Sequence, residues 1–351
     1  MRVPHSPLPT ETGSPVVSVQ AESGGIPPAE GSAALRRAVW SAEALRERLA
    51  GRFPLDQHVV EAVSQEYRLR IPDYYLRLIE SADDPIGLQA IPSHGELSPT
   101  ALPDDPLAED APEFSPVPHL THRYPDRVLL LVTDLCPMFC RFCMRKRKTL
   151  RGAEITTQGI ARGIDYVRRT AAVREVIVSG GDPLMLPDRL LERILGDLGA
   201  IPHLARIRLH TRMPCVEPAR VTDELAQVLG KTRPLWIGVH FNHPREVTPQ
   251  AGQALRRLAR AGLPLNNQAV LMRGVNDDPA VLAELYRRLM RFGVHPYYLH
   301  HGDQVQGTDQ FRLTVQEGRA IVARMRNLAP DLAMLHYVLD TPGGGGKVPL
   351  G

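Results

Sequence analysis

Thr133-Asp134-Leu135-Cys136-Pro137-Met138-Phe139-Cys140-Arg141-Phe142-Cys143-Met144 stands directly after the apolar run from Val128 to Val132. The Cys-x3-Cys-x2-Cys spacing lets one short loop present three thiolates to a cubane iron–sulfur cluster, leaving the fourth iron without a protein ligand and open to chemistry. Structural zinc is the competing use of clustered cysteines, but tetrahedral zinc takes four ligands, usually as two Cys-x2-Cys pairs. No second pair follows in this chain. A strand leading into the ligand-bearing loop is the context that such a motif requires. Cys136, Cys140 and Cys143 are therefore candidate cluster ligands, while the fourth cysteine, Cys215, reads as a small buried apolar residue.

Outward from that loop, apolar runs rich in β-branched residues begin near Val128, Glu175, Ile207, Leu235, Leu265 and His295. Helical patterns follow them, among others over 160–169, 190–198 and 280–292. This alternation indicates βα units with right-handed crossovers. It predicts an α/β fold, a partial (β/α) barrel of about six parallel strands, with a doubly wound open sheet as the alternative. The barrel is favoured because the unusual residues fall just after strands. The cysteine loop follows the first strand and Ser179-Gly180-Gly181-Asp182 the second; then come His210-Thr211-Arg212, His240-Phe241-Asn242-His243, Asn267-Gln268, and Tyr297 to His301 leading into Asp303. In a barrel these ends share one rim, where active sites of that architecture are built. Taken singly, a Gly-Gly is usually a turn and a lone histidine usually structural, so the joint placement carries the reading. Gly180 and Gly181 would let a ligand approach the backbone, with Ser179 and Asp182 adding polar groups beside it.

Composition bounds the rest. The chain has 351 residues, 43% hydrophobic and 23% charged, and its net charge of +3 gives no global attraction to nucleic acid. No apolar run approaches the roughly 20 residues of a membrane span, and the start lacks a signal-peptide core. A cytoplasmic protein is expected, with clustered cysteines suited to a reducing compartment. Residues 1–33, rich in Pro, Ser, Gly and Glu, read as a disordered tail. Residues 34–118 read as a small helical preface and a Pro-rich stretch, and 119–351 as the barrel with a C-terminal glycine-rich segment ending near Lys347.

The cysteine spacing, with Phe142 before the last cysteine, resembles the radical S-adenosylmethionine enzymes. The run from Ser115 to Lys347 resembles the lysine 2,3-aminomutase family within them. The likeness is carried by Ser115-Pro-Val-Pro-His-Leu-Thr-His-Arg-Tyr-Pro-Asp-Arg127, His240-Phe-Asn-His-Pro244, Asn267-Gln-Ala-Val-Leu-Met-Arg-Gly-Val-Asn-Asp277 and Pro342-Gly-Gly-Gly-Gly-Lys347. Asp84-Pro-Ile and Gln89-Ala-Ile-Pro92 extend it upstream, which implies that the Pro-rich stretch is a packed loop.

The resemblance implies a [4Fe-4S] cluster on Cys136, Cys140 and Cys143, and S-adenosyl-L-methionine contacted by Ser179, Gly180, Gly181 and Asp182, with Phe142, His240 and Gln268 near the cofactors. It implies pyridoxal 5'-phosphate beside Arg123 and Tyr124, held as a Schiff base by a catalytic Lys347. Arg145 would hold the substrate carboxylate, a task suited to a bidentate guanidinium. Asp303 and Asp340 would grip a distal ammonium, and two carboxylates there would repel an acidic side chain. The implied reaction moves the α-amino group of L-lysine to the β-carbon, giving β-lysine. Arginine as substrate, or β-lysine made for modifying translation elongation factor P, are the related alternatives. A non-catalytic iron–sulfur or zinc module binding nucleic acid through Arg145-Lys146-Arg147-Lys148 is the remote one. An electron donor such as flavodoxin or ferredoxin and homo-oligomerisation are the expected partnerships, with no membrane and no nucleic acid. Longer members bind structural zinc through cysteines beyond the lysine and a neighbour's cysteine at the position of Asp278; this chain has none of them, so no zinc site is expected.

Overall fold

A computed structural model describes residues 37–98, 100–149, 155–332, 334–342 and 345–351. The stretch read as a disordered tail lies outside these residues, as do Gly343 and Gly344 of the glycine run. One nine-stranded sheet follows chain order: β1 (Leu120–Tyr124), β2 (Arg127–Leu131), β3 (Glu175–Ser179), β4 (Arg206–Thr211), β5 (Leu235–Val239), β6 (Leu265–Leu271), β7 (Val294–His301), β8 (His336–Thr341) and β9 (Gly346–Pro349). Strands β2 to β8 are parallel neighbours, with β1 antiparallel on β2 and β9 antiparallel on β8. The parallel strands number seven rather than about six, because β8 pairs alongside β7. That strand is largely exposed or half-buried and so lacks the continuous apolar run that marks strands covered on both faces.

The first strand and β8 meet through side chains of β1. Tyr124 donates its hydroxyl proton to Asp340 Oδ1 at 3.0 Å, and Arg123 Nη2 donates to the Thr341 carbonyl at 2.7 Å. The sheet is thus a partial barrel whose seam is bridged by two residues of β1.

The helices are α1 (Ala42–Leu49), α2 (Gln57–Glu66), α3 (Asp73–Leu76), α4 (Lys146–Thr149), α5 (Thr157–Arg169), α6 (Asp188–Gly199), α7 (Met213–Val216), α8 (Asp223–Gly230), α9 (Pro249–Arg260), α10 (Pro279–Met290) and α11 (Val315–Leu328). Most of the long barrel helices start at a side-chain cap: Thr156, Thr222, Thr248, Asp278 and Thr314 each accept an amide of the first turn. Asp278, the position of the family's zinc cysteine, serves here as the cap of α10. The long barrel helices bury an apolar stripe, as Ile160, Ile164 and Val167 do on α5.

The N-terminal region clamps the cysteine loop. Val39 bridges Ile71, and the preceding segment lies along the loop: Phe139 N donates to the Arg70 carbonyl at 3.1 Å, Arg70 Nη1 to the Cys136 carbonyl at 2.8 Å, and Arg141 N to the Gln89 carbonyl at 3.0 Å. Glu96, fully buried, receives both Arg141 (2.6 Å) and Lys146 (2.7 Å). Within the Pro-rich stretch Ile86, Gln89, Ala90, Ile91, Glu96, Leu107 and Glu109 are all buried.

Candidate active site

The C-terminal ends of the parallel strands open into one cavity of about 340 Å³. Cys136, Cys140, Phe142, Cys143 and Arg145 line it from the loop after β2, and Ser179, Gly180, Gly181 and Asp182 from the end of β3. His240, Gln268 and Asp303 line it from the ends of β5, β6 and β7, Asp340 and Lys347 from the β8–β9 hairpin, and Arg123 and Tyr124 from β1. Every residue given a cofactor or substrate role from the sequence therefore lines the same space.

The three thiols border that space without converging on a point; among the described residues no three His, Cys, Asp or Glu side chains are arranged around a single metal ion. A cubane gives each thiolate its own iron and suits such a set better than one tetrahedral ion does. Burial and the neighbouring thiols push the Cys136 thiol well up from its ordinary range, a cost that bonding to iron reverses. Cys140 Sγ accepts a hydrogen bond from Arg212 Nη1 at 2.8 Å. The loop is held in place by the two glycines that follow β3. A Cβ on Gly180 would lie 2.2 Å from the Thr133 carbonyl oxygen and one on Gly181 2.1 Å from that of Leu135, so the glycines admit the backbone of the cysteine loop itself. Gly180 also has φ +138°, which disfavours any side chain.

Asp182 is committed to the protein. Its carboxylate accepts from Thr211 Oγ1 (2.8 and 2.9 Å), Arg212 N (2.7 Å) and Leu184 N (3.0 Å), tying the ends of β3 and β4 together. His240 differs: its ring lies 5.5 Å from that of Phe142, and its Nε2 is buried without a partner among the described residues. Burial, then the Arg212 guanidinium, lower its pKa to about 3, so it is neutral. A neutral, unpaired ring nitrogen on the cavity wall calls for a bound ligand. Gln268 places Nε2 3.0 Å from His210 Nε2 and accepts from His300 Nε2 at 3.3 Å. Burial holds both imidazoles well below their ordinary pKa. Gly238 leaves room for this pair, since a Cβ there would fall 2.7 Å from the His210 ring.

At the hairpin, Asp340 and Lys347 are cross-strand neighbours, and Lys347 Nζ is ion-paired with Asp340 Oδ2 and 5.3 Å from the centre of the Tyr298 ring. The amine is thus fixed in the cavity rather than carried on a solvated tail. On the same wall, Arg123 Nε and Arg208 Nε are buried without partners among the described residues. An amine beside unpaired guanidinium nitrogens is a donor set that fits an aldehyde cofactor bearing a phosphate. Asp303 has its pKa raised to about 6, by burial first and then by Asp340, with Lys347 and Arg145 opposing.

Arg145 makes a two-pronged bond to Glu109, Nε to Oε2 at 2.9 Å and Nη2 to Oε1 at 2.7 Å. The guanidinium beside it, together with Lys148 and Arg147, lowers the pKa of Glu109 to about 2 despite burial. Arg147 pairs with Asp105 and Asp110 and Lys148 with Asp110, while Lys146 turns inward to Glu96. The basic run is covered by an acidic loop, which removes the nucleic-acid reading. Glu109 was not named from the sequence, and Arg212, His210 and His300 were named only as strand-end residues, without a role of their own. Charge complementarity between Asp105-Glu109-Asp110 and the run at 145–148 was the available signal for the first; the other three stand at strand ends already recognised as a rim.

A profile of the Radical SAM superfamily matches residues 130–286. The L-lysine 2,3-aminomutase of Clostridium subterminale is 44% identical over 87% of this chain and 74% of its own. That of Fusobacterium nucleatum is 46% identical over 81% of this chain and 67% of its own. The glutamate 2,3-aminomutase of Clostridioides difficile is 40% identical over 84% and 70%. Identity of this extent, spanning the thiol loop and most of the barrel, shows that the chain belongs to the lysine 2,3-aminomutase family of radical S-adenosylmethionine enzymes.

Proposed function

We propose that the chain isomerises L-lysine to β-lysine, moving the α-amino group to the β-carbon. When bound, the cluster and S-adenosylmethionine supply hydrogen-atom abstraction, and pyridoxal phosphate supplies a ring that spreads the unpaired spin. Cys136, Cys140 and Cys143 would hold the cluster. Ser179 to Asp182 would shape the adjoining wall, while His240 offers a neutral ring nitrogen there and Phe142 a stacking face. Lys347 would attach pyridoxal phosphate, with Arg123 and Tyr124 beside it.

Arg145, oriented by Glu109, keeps Nη1 for the substrate carboxylate, and Asp303 with Asp340 would take the distal ammonium. Asp340 is shared with Lys347 in the free protein, so any chemistry that draws the Lys347 nitrogen away releases that carboxylate for the substrate cation. The observation that carries the reading is one cavity lined by three thiols, a lysine amine and two carboxylates. An acidic substrate side chain would add a third negative charge beside Asp303 and Asp340. Incubating the anaerobically reconstituted enzyme with lysine, arginine and glutamate, with chiral separation of the products, tests it. Turnover of glutamate in preference to lysine rejects the assignment. Among the described residues no helix is long and apolar enough to cross a membrane, and the reading includes a cytoplasmic enzyme reduced by a flavodoxin- or ferredoxin-like donor.

A further inference from the structure

Arg212, 8% exposed, follows β4 directly and is held from several sides. Its Nη2 donates to Gln89 Oε1 at 2.6 Å and Glu246 Oε1 at 2.9 Å, and its guanidinium lies 5.0 Å from the Phe142 ring centre and 5.6 Å from that of Tyr75. The holders are themselves fixed. Glu246, fully buried, accepts from Tyr75 Oη at 2.7 Å, Asn242 N at 2.6 Å and His243 N at 3.0 Å, and Asn242 Nδ2 donates to Gln89 Oε1 at 3.0 Å. Of the remaining nitrogens, Nε is buried without a partner among the described residues, and Nη1 points at Cys140 Sγ at 2.8 Å. A dehydrated guanidinium whose Nη2 is held by an amide and a carboxylate directs Nη1 at one thiol. It is placed to act on that sulfur.

A thiolate bound to iron keeps part of its negative charge, and hydrogen bonds to cluster sulfurs, together with net nearby charge, set the potential. The effect is strong in a buried setting. The reduced cluster carries one more electron than the oxidised one, so a fixed cation beside Cys140 stabilises the reduced form more. We infer that Arg212 is a positioning residue that raises the reduction potential of the cluster through Cys140, and that Glu246 behind it tempers the rise. The inference rests on the cluster assignment of the proposed function. The step concerned is the entry of one electron from a low-potential donor protein, with no bond broken and no proton moved.

The test is an EPR-monitored redox titration of the reconstituted full chain and of Arg212→Met, Arg212→Lys and Glu246→Gln, with iron and sulfide content and S-adenosylmethionine affinity measured on each. In Arg212→Met the ratio of reduced to oxidised cluster at a fixed donor potential should fall about tenfold, equivalent to about 59 mV for one electron. Arg212→Lys should fall less. Glu246→Gln should move the potential the other way. Shifts of opposite sign at the two positions are something that a merely structural role would not produce. Normal iron content with an unmoved potential in Arg212→Met, or a loss confined to S-adenosylmethionine affinity, overturns the inference. If Arg212→Met does not fold, Arg212→Lys and Glu246→Gln decide, and shifts of the same sign overturn it. A wild-type chain that takes up no iron removes the cluster assignment and this inference together, whereas a normal cluster with an unmoved potential removes this inference alone.

Discussion

Replacing Asp303 by Asn should make the enzyme worse and the unliganded protein more stable. The carboxyl sits in the cavity near Asp340, and its pKa rises from the ordinary 3.8 to about 6 because burial and the second carboxylate both oppose ionisation. The folded chain therefore holds this proton more tightly than the unfolded chain does. That preference favours folding below about pH 4 and is lost as pH rises through about 6, leaving a charged group that the fold tolerates at a cost. A shift of about two units at about 1.4 kcal/mol each caps the cost near 3 kcal/mol above pH 7. Calorimetry should show Asp303→Asn gaining stability at about pH 7.5 and almost none at about pH 4.

Function should move the opposite way. Loss of one of two carboxylates around a dehydrated ammonium costs about 2 kcal/mol or more, a roughly thirtyfold drop in kcat/KM for lysine. Norleucine, which lacks the distal charge, should lose little. In the wild type about a tenth of Asp303 is ionised at pH 5 and about nine-tenths at pH 7, so its share of lysine binding should climb about tenfold between them. The variant should be flat across that range. A variant destabilised at every pH, with lysine and norleucine losing activity alike, would refute the reasoning and make Asp303 a structural residue.

Lys347→Ala should lose the borohydride-trappable pyridoxal adduct, and trapping that persists at another lysine would reject the assignment of the anchor. Gly181→Ala would set a methyl against the Leu135 carbonyl; overpacking of this kind costs about 1–3 kcal/mol, and iron uptake should fall with Tm, so an unchanged iron content would argue against the glycine's part in seating the loop. Glu96→Gln leaves Arg141 and Lys146 buried with no full counter-charge, a loss of about 3–5 kcal/mol. Urea unfolding should show a lower midpoint at unchanged slope, and a stability within error of wild type would mean that water reaches those cations.

The six central strands were legible because parallel strands covered on both faces are written as continuous apolar runs. Val128, Glu175, Ile207, Leu235, Leu265 and His295 all fall within a residue of an observed strand start. The remaining strands were not legible. Leu120–Tyr124 is a polar strand, and Gly346–Pro349 is four residues that follow a glycine run, so neither pattern distinguishes them from loop. Residues that the cavity brings together were legible where a motif fixed them, as for the cysteines and Lys347. Glu109 and Arg212 were hidden because what they do depends on partners far off in sequence: Arg212 meets Gln89 across 123 positions and Cys140 across 72. Gly180 and Gly181 were recognised as sites of close approach, but the close approach is that of the neighbouring loop.

The bridged seam between β1 and β8 has a consequence for the order of events during synthesis. Tyr124 and Asp340 are 216 positions apart, and synthesis proceeds from the N-terminus. The thiol loop and its N-terminal clamp are synthesised well before the hairpin. A chain stopped short of β9 would contain the three thiols and lack the Lys347 amine, with the cavity open at the seam. Addition of the hairpin closes the wall and delivers the Lys347 amine in one act, so the cavity is completed only when the last strand is added.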